Sequence, residues 1–467
     1  MPTVMKFGGT SVADAYAFEN VARIVASQRN VAPVVVVSAM SGVTDVLLAA
    51  TISASQGRAD EAVTSLDATF HRHHKTAEQL LTPSAAQAFA SRVDNAAHQI
   101  NELLRTSAGN PQRRRPTQDA VLAYGEMLSS ELLGELLKER GLNAQHVDAR
   151  RCIVTDDEFT SALPLMAETL CKAHDALMPL VESSLIPVLG GFIASTADGT
   201  TTTLGRGGSD YTAALIGAAL TANEIQIWTD VTGVLTADPR VVPVAQTVER
   251  LSYAEASELA YFGAKVLHPK TIQPAIEGSI PVRICNSRAP EEVGTLVGPQ
   301  TETTDRTIKA IAHKSGVTTV QISSARMLGA YGFLRALFEV FERHRTVVDV
   351  VATSEVSVSL SLDDASALPS IVTELERLGT VRVEKGCAIV CVVGEGLRGT
   401  PGIAARVFSA ISDINVTLIS QGASSINFTF AVEEARVDEA VKRLHAEFFE
   451  PQPQEGTKST KGTEGTY

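Results

Sequence analysis

The pattern of hydrophobic positions divides the chain into a long region of alternating strands and helices and a shorter region of different texture. Continuous apolar runs, which are typical of strands buried in a parallel sheet, occupy residues 32–42, 184–195 and 223–234. Between them, residues 45–106 and 118–140 are rich in Ala, Leu, Glu and Gln and are predicted to be helical. This alternation predicts an α/β domain over residues 1–300, with helices on both faces of the sheet and ligands at the carboxyl ends of the strands.

The region that begins near residue 307 has shorter elements and contains an internal repeat. Residues 331–362 align without a gap on residues 401–432, with Gly332 matched to Gly402. An ungapped match of this length indicates a duplicated unit. Each copy is predicted to run strand, helix, strand, strand, helix.

One predicted strand of the repeat region is not accounted for by the alignment of the two copies. The first copy closes with a strand at 381–385, the second copy lacks an equivalent, and TIKAIAHK (307–314) is left over ahead of the first copy. We therefore predict that the two copies interleave. The predicted boundaries are 317–385 for the first unit, 307–315 with 386–449 for the second, and 450–467 for a polar, disordered tail.

Composition and charge limit the functional classes to which the protein can belong. The 467 residues carry a net charge of −13 and are 44% hydrophobic, which favours a soluble enzyme and argues against nucleic acid as a main partner. The basic run QRRRP (112–116) is interpreted as a solvated loop, with contact to nucleic acid as the alternative. No apolar stretch approaches the length of a membrane span, and a strand beginning near residue 3 leaves no room for a signal peptide.

The cysteine and histidine residues do not predict a metal site. Five scattered cysteines indicate a reducing, cytoplasmic compartment, and Cys387 and Cys391 are interpreted as core residues of a strand. HRHHK (71–75) lies in a polar helical stretch. A zinc site is the alternative there, but partners at a useful spacing are missing.

The first candidate for chemistry is VMKFGGTSVA, close to the beginning of the chain. A strand ends in Gly8 and Gly9, with Lys6 just ahead and a helix predicted to begin at Thr10 or Ser11. Glycines let backbone N–H groups approach an anion, and the N-terminus of a helix favours one. The segment is therefore either a phosphate cradle or the tight turn that any connection between a strand and a helix needs.

A second glycine-rich loop lies in TTTLGRGGSD (201–210). Arg206 stands between glycines and offers a planar fork for a carboxylate or a phosphate. Ser209 and Asp210 can cap the helix that follows, which is their alternative role. Because a helix requires no arginine between two glycines, we expect an anion site here.

Further candidate ligands follow other strands. In IWTDVTGVLTADPR, Thr229 and Asp230 suit a ribose or a base and Arg240 suits a phosphate, although a capped loop has the same pattern. FGAKVLHP supplies Lys265 as a second lysine for phosphate. The remaining candidates are Ser38, Ser41 and Thr44, which follow a strand, and Glu126, which is predicted at a helix start, with complementation of the helix dipole as its alternative role.

Taken together, these residues suit phosphoryl transfer. That chemistry requires a protein mainly to position the reactants and to neutralise charge, and the strand-end glycines, hydroxyls, lysines and arginines provide both functions. The sequence contains no Walker GxxxxGK[ST] motif, no paired His/Cys set and no GxSxG nucleophile.

Four motifs resemble a known family: KFGGTSV (6–12), TTTLGRGGSD (201–210), WTDVTGVLTADPR (228–240) and FGAKVLHP (262–269). Through them the chain resembles aspartate kinase from residue 3 to about 449. The resemblance implies an amino-acid-kinase domain, which is a three-layer α/β/α sandwich with a mostly parallel sheet, followed by two ferredoxin-like βαββαβ ACT domains. It also implies that the γ-phosphoryl group of Mg-ATP moves to the side-chain carboxylate of L-aspartate. The product would be 4-phospho-L-aspartate, in the first step of lysine, threonine and methionine biosynthesis.

The resemblance implies roles for the candidate residues. Lys6 and Asp210 are expected to be catalytic, Lys6 by stabilising charge on the transferring phosphoryl group and Asp210 by orienting the substrate or the lysine. Arg206 is expected to hold the substrate α-carboxylate and Glu126 its ammonium. The other expected substrate contacts are Ser38, Thr44 and Ser209. The expected ATP-binding set is Lys6, Gly8, Gly9, Thr229, Asp230, Leu235, Arg240 and Lys265, with Leu235 where many relatives carry Tyr or Met.

The two repeat copies differ in charge, which bears on regulation. Asp349 and Glu355, expected at the end of one strand and the start of the next, match Ile419 and Ser425 of the second copy. A cationic effector is therefore expected on the first copy, with ordinary strand-end charges as the alternative. The segments around these residues resemble lysine-sensitive aspartate kinases, which implies inhibition by L-lysine and a homodimer or tetramer. The expected effector residues are Met327, Phe333, Leu334, Val348, Asp349, Ser354 and Glu355.

Two other functions stay open at this point. The chain could be an amino-acid-sensing module with an inactive kinase domain, which the intact Lys6, Arg206, Asp210 and Lys265 argue against. It could also phosphorylate another small acid such as acetylglutamate or glutamate, which the KFGGTS motif and the ACT pair disfavour. An assay of ADP release over a panel of substrates discriminates between them.

Overall fold

The computed structural model describes residues 1–263, 267, 269–299, 307–329, 331–422 and 424–450. The chain divides into two compact units. The first comprises residues 1–234 and the described part of 247–304, and the second comprises 235–246 and the described residues from 307 onward. The predicted phosphate ligand Lys265 and the predicted tail after Glu450 lie outside the described residues.

The first unit is built on a mostly parallel sheet. Its strands are β1 (Thr3–Phe7), β2 (Pro33–Val37), β3 (Ala144–His146), β4 (Val154–Thr155), β5 (Ile186–Gly190), β6 (Ile193–Thr196), β7 (Thr201–Thr203), β8 (Glu224–Thr229), β9 (Arg250–Ser252), β10 (Val282–Asn286) and β11 (Thr295–Gly298). The main sheet has the order β3-β5-β2-β1-β8-β10-β11-β9, and β10 and β11 pair antiparallel within it. Strands β4, β6 and β7 form a small second sheet.

Helices cover both faces of the main sheet. They are α1 (Ala15–Ser27), α2 (Val43–Ser55), α3 (Ala59–Thr64), α4 (Asp67–Leu80), α5 (Pro83–Ser107), α6 (Arg114–Glu139), α7 (Met166–Glu182), α8 (Gly208–Ala219), α9 (Tyr253–Tyr261) and α10 (Gln273–Glu277). Met5 and Phe7 pack into one core with α1, α4, α5 and α6. The alternate residue Val4 is equally buried on the other face, where α8 contacts β1. The predicted α/β sandwich with a mostly parallel sheet is confirmed.

Two local predictions are wrong in detail. The run 184–195 does not form one strand but divides between β5 and β6, which belong to different sheets, because the chain turns at Phe192 with a φ of +67°. The first helix does not begin at Thr10 or Ser11, since residues 9–12 form a short 3₁₀ turn. Helix α1 begins after Asp14, whose carboxylate accepts a hydrogen bond from the Ala17 N–H at 2.9 Å.

The second unit contains the repeat region. Its elements are β12 (Ala310–Ser323), α11 (Phe333–Arg343), β13 (Val351–Thr353), β14 (Ser357–Leu362), α12 (Leu368–Leu375), β15 (Thr380–Val393), α13 (Ile403–Ala410), β16 (Val416–Gln421), β17 (Asn427–Glu433) and α14 (Val437–Phe449). The strands follow the order β13-β14-β12-β15-β17-β16 and all pair antiparallel. Matched elements of the two copies begin at matched positions, since α11 and α13 begin at Phe333 and Ile403.

Strands β12 and β15 each run through both repeat copies. Residues 310–314 pair with 389–393, whereas 319–323 pair with 380–384, and the ladder is irregular between these two stretches. Beside the ladder, β14 flanks the part that belongs to the first copy and β17 flanks the part that belongs to the second. The segment left over by the repeat therefore lies next to the first strand of the second copy. Where the sequence predicted four short strands, the structure has two strands of 14 residues each.

A short segment from within the predicted kinase domain packs in the second unit instead. In residues 235–246, the Thr236 carbonyl accepts a hydrogen bond from the Ile311 N–H at 2.8 Å. The Thr236 hydroxyl shares a hydrogen bond of 3.0 Å with Nε2 of the buried His445. Ala237 joins the hydrophobic core of this unit. The predicted domain limits of 1–300 therefore differ from the contacts of the folded chain at this segment.

Helix α6 contains two glycines whose surroundings predict opposite effects of alanine. A Cβ at Gly125 would lie 2.9 Å from Cβ of Ala39, whereas one at Gly134 would lie 3.5 Å from Cβ of His146, which is ordinary contact. Gly134→Ala should stabilise the first unit by about 0.5–1 kcal/mol, because alanine is the better helix former. Gly125→Ala should instead destabilise it by about 1–3 kcal/mol, because the backbone must shift. Denaturant unfolding measures both, and equal stabilisation by the two substitutions would contradict the close approach at Gly125.

Candidate active site

Three neighbouring strands bring their following loops to one edge of the main sheet. The parallel register pairs Phe7, at the end of β1, with Val37 on one side and Trp228 on the other. The loops are joined by backbone hydrogen bonds, from the Gly8 N–H to the Trp228 carbonyl at 3.1 Å and from the Ser38 N–H to the Phe7 carbonyl at 3.0 Å. This edge is where open parallel sheets bind their ligands.

A cavity of about 670 Å³ opens at this edge, within the usual range for a small-molecule site. Most of the residues predicted from the sequence line it, namely Lys6, Gly8, Gly9, Ser38, Thr44, Glu126, Arg206, Ser209, Asp210, Thr229 and Asp230. The fold thus gathers into one cavity side chains that lie more than 200 positions apart in the sequence.

Lys6 and Asp210 form an ion pair in the cavity. The Lys6 Nζ lies 2.7 Å from Oδ1 of Asp210, and the two side chains are 12% and 17% exposed. Lys6 projects from β1 and Asp210 from the first turn of α8, so the pair joins two elements that the sequence places far apart. A largely buried ammonium held in this way is ready to meet an anionic group.

Glu126 is the buried carboxylate of the site. It lies in the middle of α6, so the prediction that it stands at a helix start is wrong, and its alternative role of complementing a helix dipole falls with that prediction. The side chain is 3% exposed, and its Oε2 has no hydrogen-bond partner among the described residues. Burial raises the pKa of Glu126 to about 8, against the lowering effects of the Ala39 backbone N–H and the Lys6 charge. A buried carboxylate oxygen without a partner is suited to receive a cationic group.

Arg206 lies in the loop between β7 and α8. Gly207, with a φ of +74°, is the residue at the N-cap of α8, so Ser209 and Asp210 lie in the first turn and do not cap the helix. A Cβ at Gly191 would lie 2.7 Å from Cα of Ser209, which explains why the loop can approach the end of β5 so closely. Arg206 is exposed and forms no ion pair within the described part of the chain, so its guanidinium is available for an anion.

Comparison with known proteins agrees with the fold. Residues 1–286 match the amino acid kinase family, and residues 390–448 match an ACT domain. The lysine-sensitive aspartokinase 3 of Escherichia coli (strain K12) is 38% identical over 455 residues, which cover 96% of this chain and 99% of that protein. The chain belongs to the aspartokinase family.

Solved structures of aspartokinases have the same fold. The E. coli aspartokinase III in complex with aspartate and ADP (R-state) superposes on this chain with a TM-score of 0.81. Its complex with lysine and aspartate (T-state) gives 0.80. Both are 38% identical to this aspartokinase, and each match covers 96% of it. The matches span 100% of the chain in the aspartate and ADP complex and 99% of the chain in the lysine and aspartate complex.

The residues predicted to bind the nucleotide are not all found together in this aspartokinase. Thr229 and Asp230 line the cavity, and the Thr229 hydroxyl donates a hydrogen bond of 3.2 Å to the Asp230 carboxylate. Leu235 and Arg240 belong to the second unit and are not among the residues that line the cavity. The Arg240 side chain is 88% exposed and pairs with Asp238 at 2.6 Å.

Three side chains that the sequence did not single out support the loops of the cavity. Ser287 shares a hydrogen bond of 2.8 Å with the Ser11 hydroxyl and donates to the Thr229 carbonyl. Arg72, from the HRHHK segment, donates to the Ser41 carbonyl at 2.8 Å. The third side chain is Asp119. Two of the three carry a signal in the sequence: Ser287 follows a strand, and Asp119 lies seven residues before Glu126 on the same face of a helix.

The predicted effector residues lie in the first repeat copy. Met327, Phe333 and Val348 pack against the same hydrophobic core, while Leu334 in the first turn of α11 is 42% exposed. The other members are Asp349, which precedes β13, and Ser354 and Glu355, which lie in the turn between β13 and β14. The two carboxylates therefore flank β13, which corrects the prediction that they end one strand and begin the next.

The described residues offer neither a metal-binding cluster nor a membrane-spanning helix. No group of three or more His, Cys, Asp or Glu side chains there could hold a metal ion. His73 of the HRHHK segment is buried, and its Nδ1–H donates a hydrogen bond of 2.8 Å to the Thr69 carbonyl. Burial lowers the pKa of His73 to about 4. No described helix combines the length and the apolar character needed to cross a membrane.

The raised pKa of Glu126 predicts a pH dependence of stability. Between about pH 4.5 and 8 the folded chain holds a proton on Glu126 that the unfolded chain has released, so the free energy of unfolding falls as the pH rises through that window. Glu126→Gln removes this loss and should be more stable than the parent at pH 8, by on the order of a few kcal/mol, but not at pH 4.5.

Denaturant unfolding across that pH range measures the effect. The control is Glu78→Gln, which alters an exposed carboxylate of α4 and should follow the parent at every pH. Curves for the parent and Glu126→Gln that stay parallel from pH 4.5 to 8 would contradict the raised pKa.

Proposed function

We propose that this aspartokinase transfers the γ-phosphoryl group of ATP to the side-chain carboxylate of L-aspartate, giving 4-phospho-L-aspartate and ADP. An oxygen of the substrate carboxylate forms a bond to the γ-phosphorus while the bond from that phosphorus to the β,γ-bridging oxygen breaks. The carboxylate is already ionised at neutral pH, so the reaction needs no general base. The protein has to align the two substrates and to offset negative charge.

The observation that carries this proposal is the set of side chains that line the cavity at the edge of the main sheet. The Lys6 ammonium, held by Asp210, is proposed to stabilise charge on the transferring phosphoryl group. The exposed Arg206 guanidinium is proposed to clamp the substrate α-carboxylate, and the buried Glu126 to pair with the substrate ammonium. The acceptor carboxylate would then meet the hydroxyls that line the same cavity, which are Ser38, Thr44 and Ser209.

Binding of the substrate ammonium is proposed to displace the proton of Glu126. With a pKa of about 8, the Glu126 carboxyl is mostly neutral at pH 7. An ammonium at hydrogen-bond distance favours the ionised form and lowers that pKa. Aspartate should therefore bind more tightly as the pH rises from 6 to 8.

ATP is proposed to bind with Gly8, Gly9, Thr229 and Asp230 beside the transferred phosphate. Gly8 leaves room next to Lys6, since a Cβ there would lie 3.7 Å from the Lys6 Nζ. The rest of the proposed nucleotide set, on the family resemblance alone, is Leu235, Arg240 and Lys265.

Mg²⁺ is proposed to accompany the nucleotide. Mg²⁺ takes oxygen ligands and usually keeps several waters, with one or two carboxylates and the substrate phosphates completing its shell. The carboxylates of Asp210 and Asp230 line the cavity and have the right donor chemistry. When bound, the ion would neutralise charge on the phosphates.

Substitution of the two cationic side chains should separate catalysis from binding. Lys6→Ala removes charge stabilisation that grows in the transition state, so kcat should fall by about 10²- to 10³-fold. Arg206→Ala removes a contact to a carboxylate that does not react, so the aspartate KM should rise by about tenfold or more. ADP release with aspartate, glutamate and acetylglutamate, each with Mg-ATP, provides the measurement.

Controls make the result specific. Arg288→Ala, an exposed arginine outside the cavity lining, should leave both constants close to those of the parent. A parent that does not turn over aspartate would refute the proposed reaction. Equal increases in KM with unchanged kcat in both variants would refute the proposed division of roles.

We assign the second unit to two interleaved ACT domains, formed by residues 317–385 and by 307–315 with 386–449. The first is proposed to bind L-lysine as an inhibitor. Its carboxylates Asp349 and Glu355 flank β13, whereas the matched positions of the second copy are Ile419 and Ser425. Lysine carries two ammonium groups, and carboxylate oxygens are their natural partners.

The first ACT copy is also proposed to form the interface of a homodimer. It exposes an unusual number of large apolar side chains, namely Leu328, Tyr331, Leu334, Phe338, Val347, Val351 and Val356. Large apolar surface on an otherwise polar protein marks a site of association. Sedimentation equilibrium tests the proposal, and a monomer at micromolar concentration would refute it; a tetramer would extend it.

A cytoplasmic location is proposed from the cysteines. All five carry free thiols, and Cys171 is exposed while the other four are buried. Unpaired cysteines are typical of proteins in a reducing compartment.

Removal of either carboxylate should weaken inhibition by lysine. Asp349→Ala and Glu355→Ala each leave a lysine ammonium poorly paired, so the half-inhibitory concentration should rise by about ten- to a hundredfold while activity without lysine is unchanged. Inhibition assays with lysine, and with threonine and methionine as other effectors, measure this. Asp364→Ala, which removes a charge after β14, is the matched control. Undiminished lysine inhibition in both variants, or inhibition of the parent by threonine alone, would rule out the proposed effector site.

A further inference from the structure

Asp119 is a fully buried carboxylate beneath the lining of the cavity. It lies on α6, is 0% exposed and is not itself among the lining residues. Its Oδ2 accepts hydrogen bonds from the backbone N–H groups of Thr160 at 2.9 Å and Thr203 at 3.0 Å. Its Oδ1 accepts a hydrogen bond from the Thr203 hydroxyl at 2.8 Å. One side chain thus holds two separate loops, and both Thr160 and Thr203 line the cavity.

The first of these loops is held in a strained conformation. Thr160 has a φ of +76°, a region that residues other than glycine, and β-branched residues above all, rarely adopt. Such conformations persist where the surroundings fix them. The hydrogen bond from the Thr160 N–H to Asp119 is one such restraint. The Thr160 carbonyl in turn lies against Gly205, where a Cβ would come within 3.3 Å of it.

The second loop leads directly to Arg206. Thr203 is the last residue of β7, three positions before Arg206, and its carbonyl also accepts a hydrogen bond from the Ala162 N–H at 2.9 Å. Asp119 therefore fixes the start of the Arg206 loop through Thr203 and supports its middle through Thr160 and Gly205.

We infer that Asp119 is a positioning residue for Arg206, and that it acts by holding the loop that aims the guanidinium at the substrate carboxylate. The inference rests on the proposed role of Arg206. Asp119 does not touch the substrate, so its contribution is to the geometry of the site and not to the reacting atoms.

The contacts of Asp119 require acceptor geometry and not negative charge. In Asp119→Asn the amide oxygen can accept both backbone N–H groups, and the amide nitrogen can donate to the Thr203 hydroxyl, which is free to rotate. In Asp119→Ala all three donors lose their acceptor. Burial raises the pKa of Asp119, against the lowering effects of its hydrogen bonds to Thr160 and Thr203, which agrees with a role that does not depend on its charge.

The test is a double-mutant cycle on the full-length chain. Asp119→Ala should raise the aspartate KM by about tenfold or more while the ATP KM changes by less than about threefold, because the loop no longer holds Arg206 in place. Asp119→Asn should stay close to the parent. If Asp119 acts through Arg206, the double variant Asp119→Ala/Arg206→Ala should have the same aspartate KM as Arg206→Ala alone.

Thr169→Val is the matched control for the loss of a buried hydrogen bond. The buried Thr169 hydroxyl donates to the Val154 carbonyl at 2.9 Å and accepts from the Val154 N–H at 3.1 Å, and the residue does not line the cavity. Thr169→Val should lower the unfolding midpoint and leave the aspartate KM unchanged. If Asp119→Ala does not fold, Thr203→Val removes the hydroxyl contact alone. It should raise the aspartate KM, and this increase should not add to that caused by Arg206→Ala.

Several results would overturn the inference. An aspartate KM unchanged in both Asp119→Ala and Thr203→Val would do so, as would effects that add fully to those of Arg206→Ala. A loss of aspartate affinity in Asp119→Asn as large as in Asp119→Ala would show that charge, and not position, is what matters. An aspartate KM unaffected by Arg206→Ala itself would instead refute the proposed role of Arg206, and the inference with it.

Discussion

The close approach of helix α6 to the end of the main sheet is the constraint on which the candidate site depends. The approach is possible because two side chains are missing at the contact. A Cβ at Gly125 would lie 2.9 Å from that of Ala39, and a Cβ at Gly190 would lie 2.9 Å from that of Glu126. With the helix this close, Glu126 reaches the cavity and Asp119, two helical turns earlier, reaches the loops behind it. A helix set back by one side-chain layer would leave both carboxylates in the wrong place.

Much of this site could be predicted because its residues follow buried strands. Lys6, Ser38 and Thr229 each stand at or just beyond the end of a strong apolar run, and the parallel register then brings such ends together. The repeat was equally informative, since an alignment without gaps fixes the relative positions of the elements in both copies. The sequence therefore predicted which loops meet and which chemistry they carry.

Other features depend on contacts that leave no local pattern. Glu126 was expected at a helix start, whereas it lies in the middle of α6, and the glycine before it permits a close contact between the helix and a distant loop. Asp119 shares a helix face with Glu126, but the residues it holds, Thr160 and Thr203, lie 41 and 84 positions away in the sequence, and no local pattern indicates those contacts. The packing of residues 235–246 in the second unit depends on Thr236 meeting Ile311 and His445, and nothing in their spacing reveals that meeting.

The two continuous strands β12 and β15 join the duplicated units into one sheet. Each strand contributes one half to each copy, so a chain cut back to residues 386–449 of the second copy would lose residues 310–314, the strand that pairs with 389–393. A residue inserted in either copy's half of these strands would slip the pairing and turn side chains to the opposite face. During evolution the two copies can therefore diverge by substitution, as the contrast between Asp349 and Ile419 illustrates. An insertion or deletion in the shared strands of one copy alone would disrupt the pairing of both.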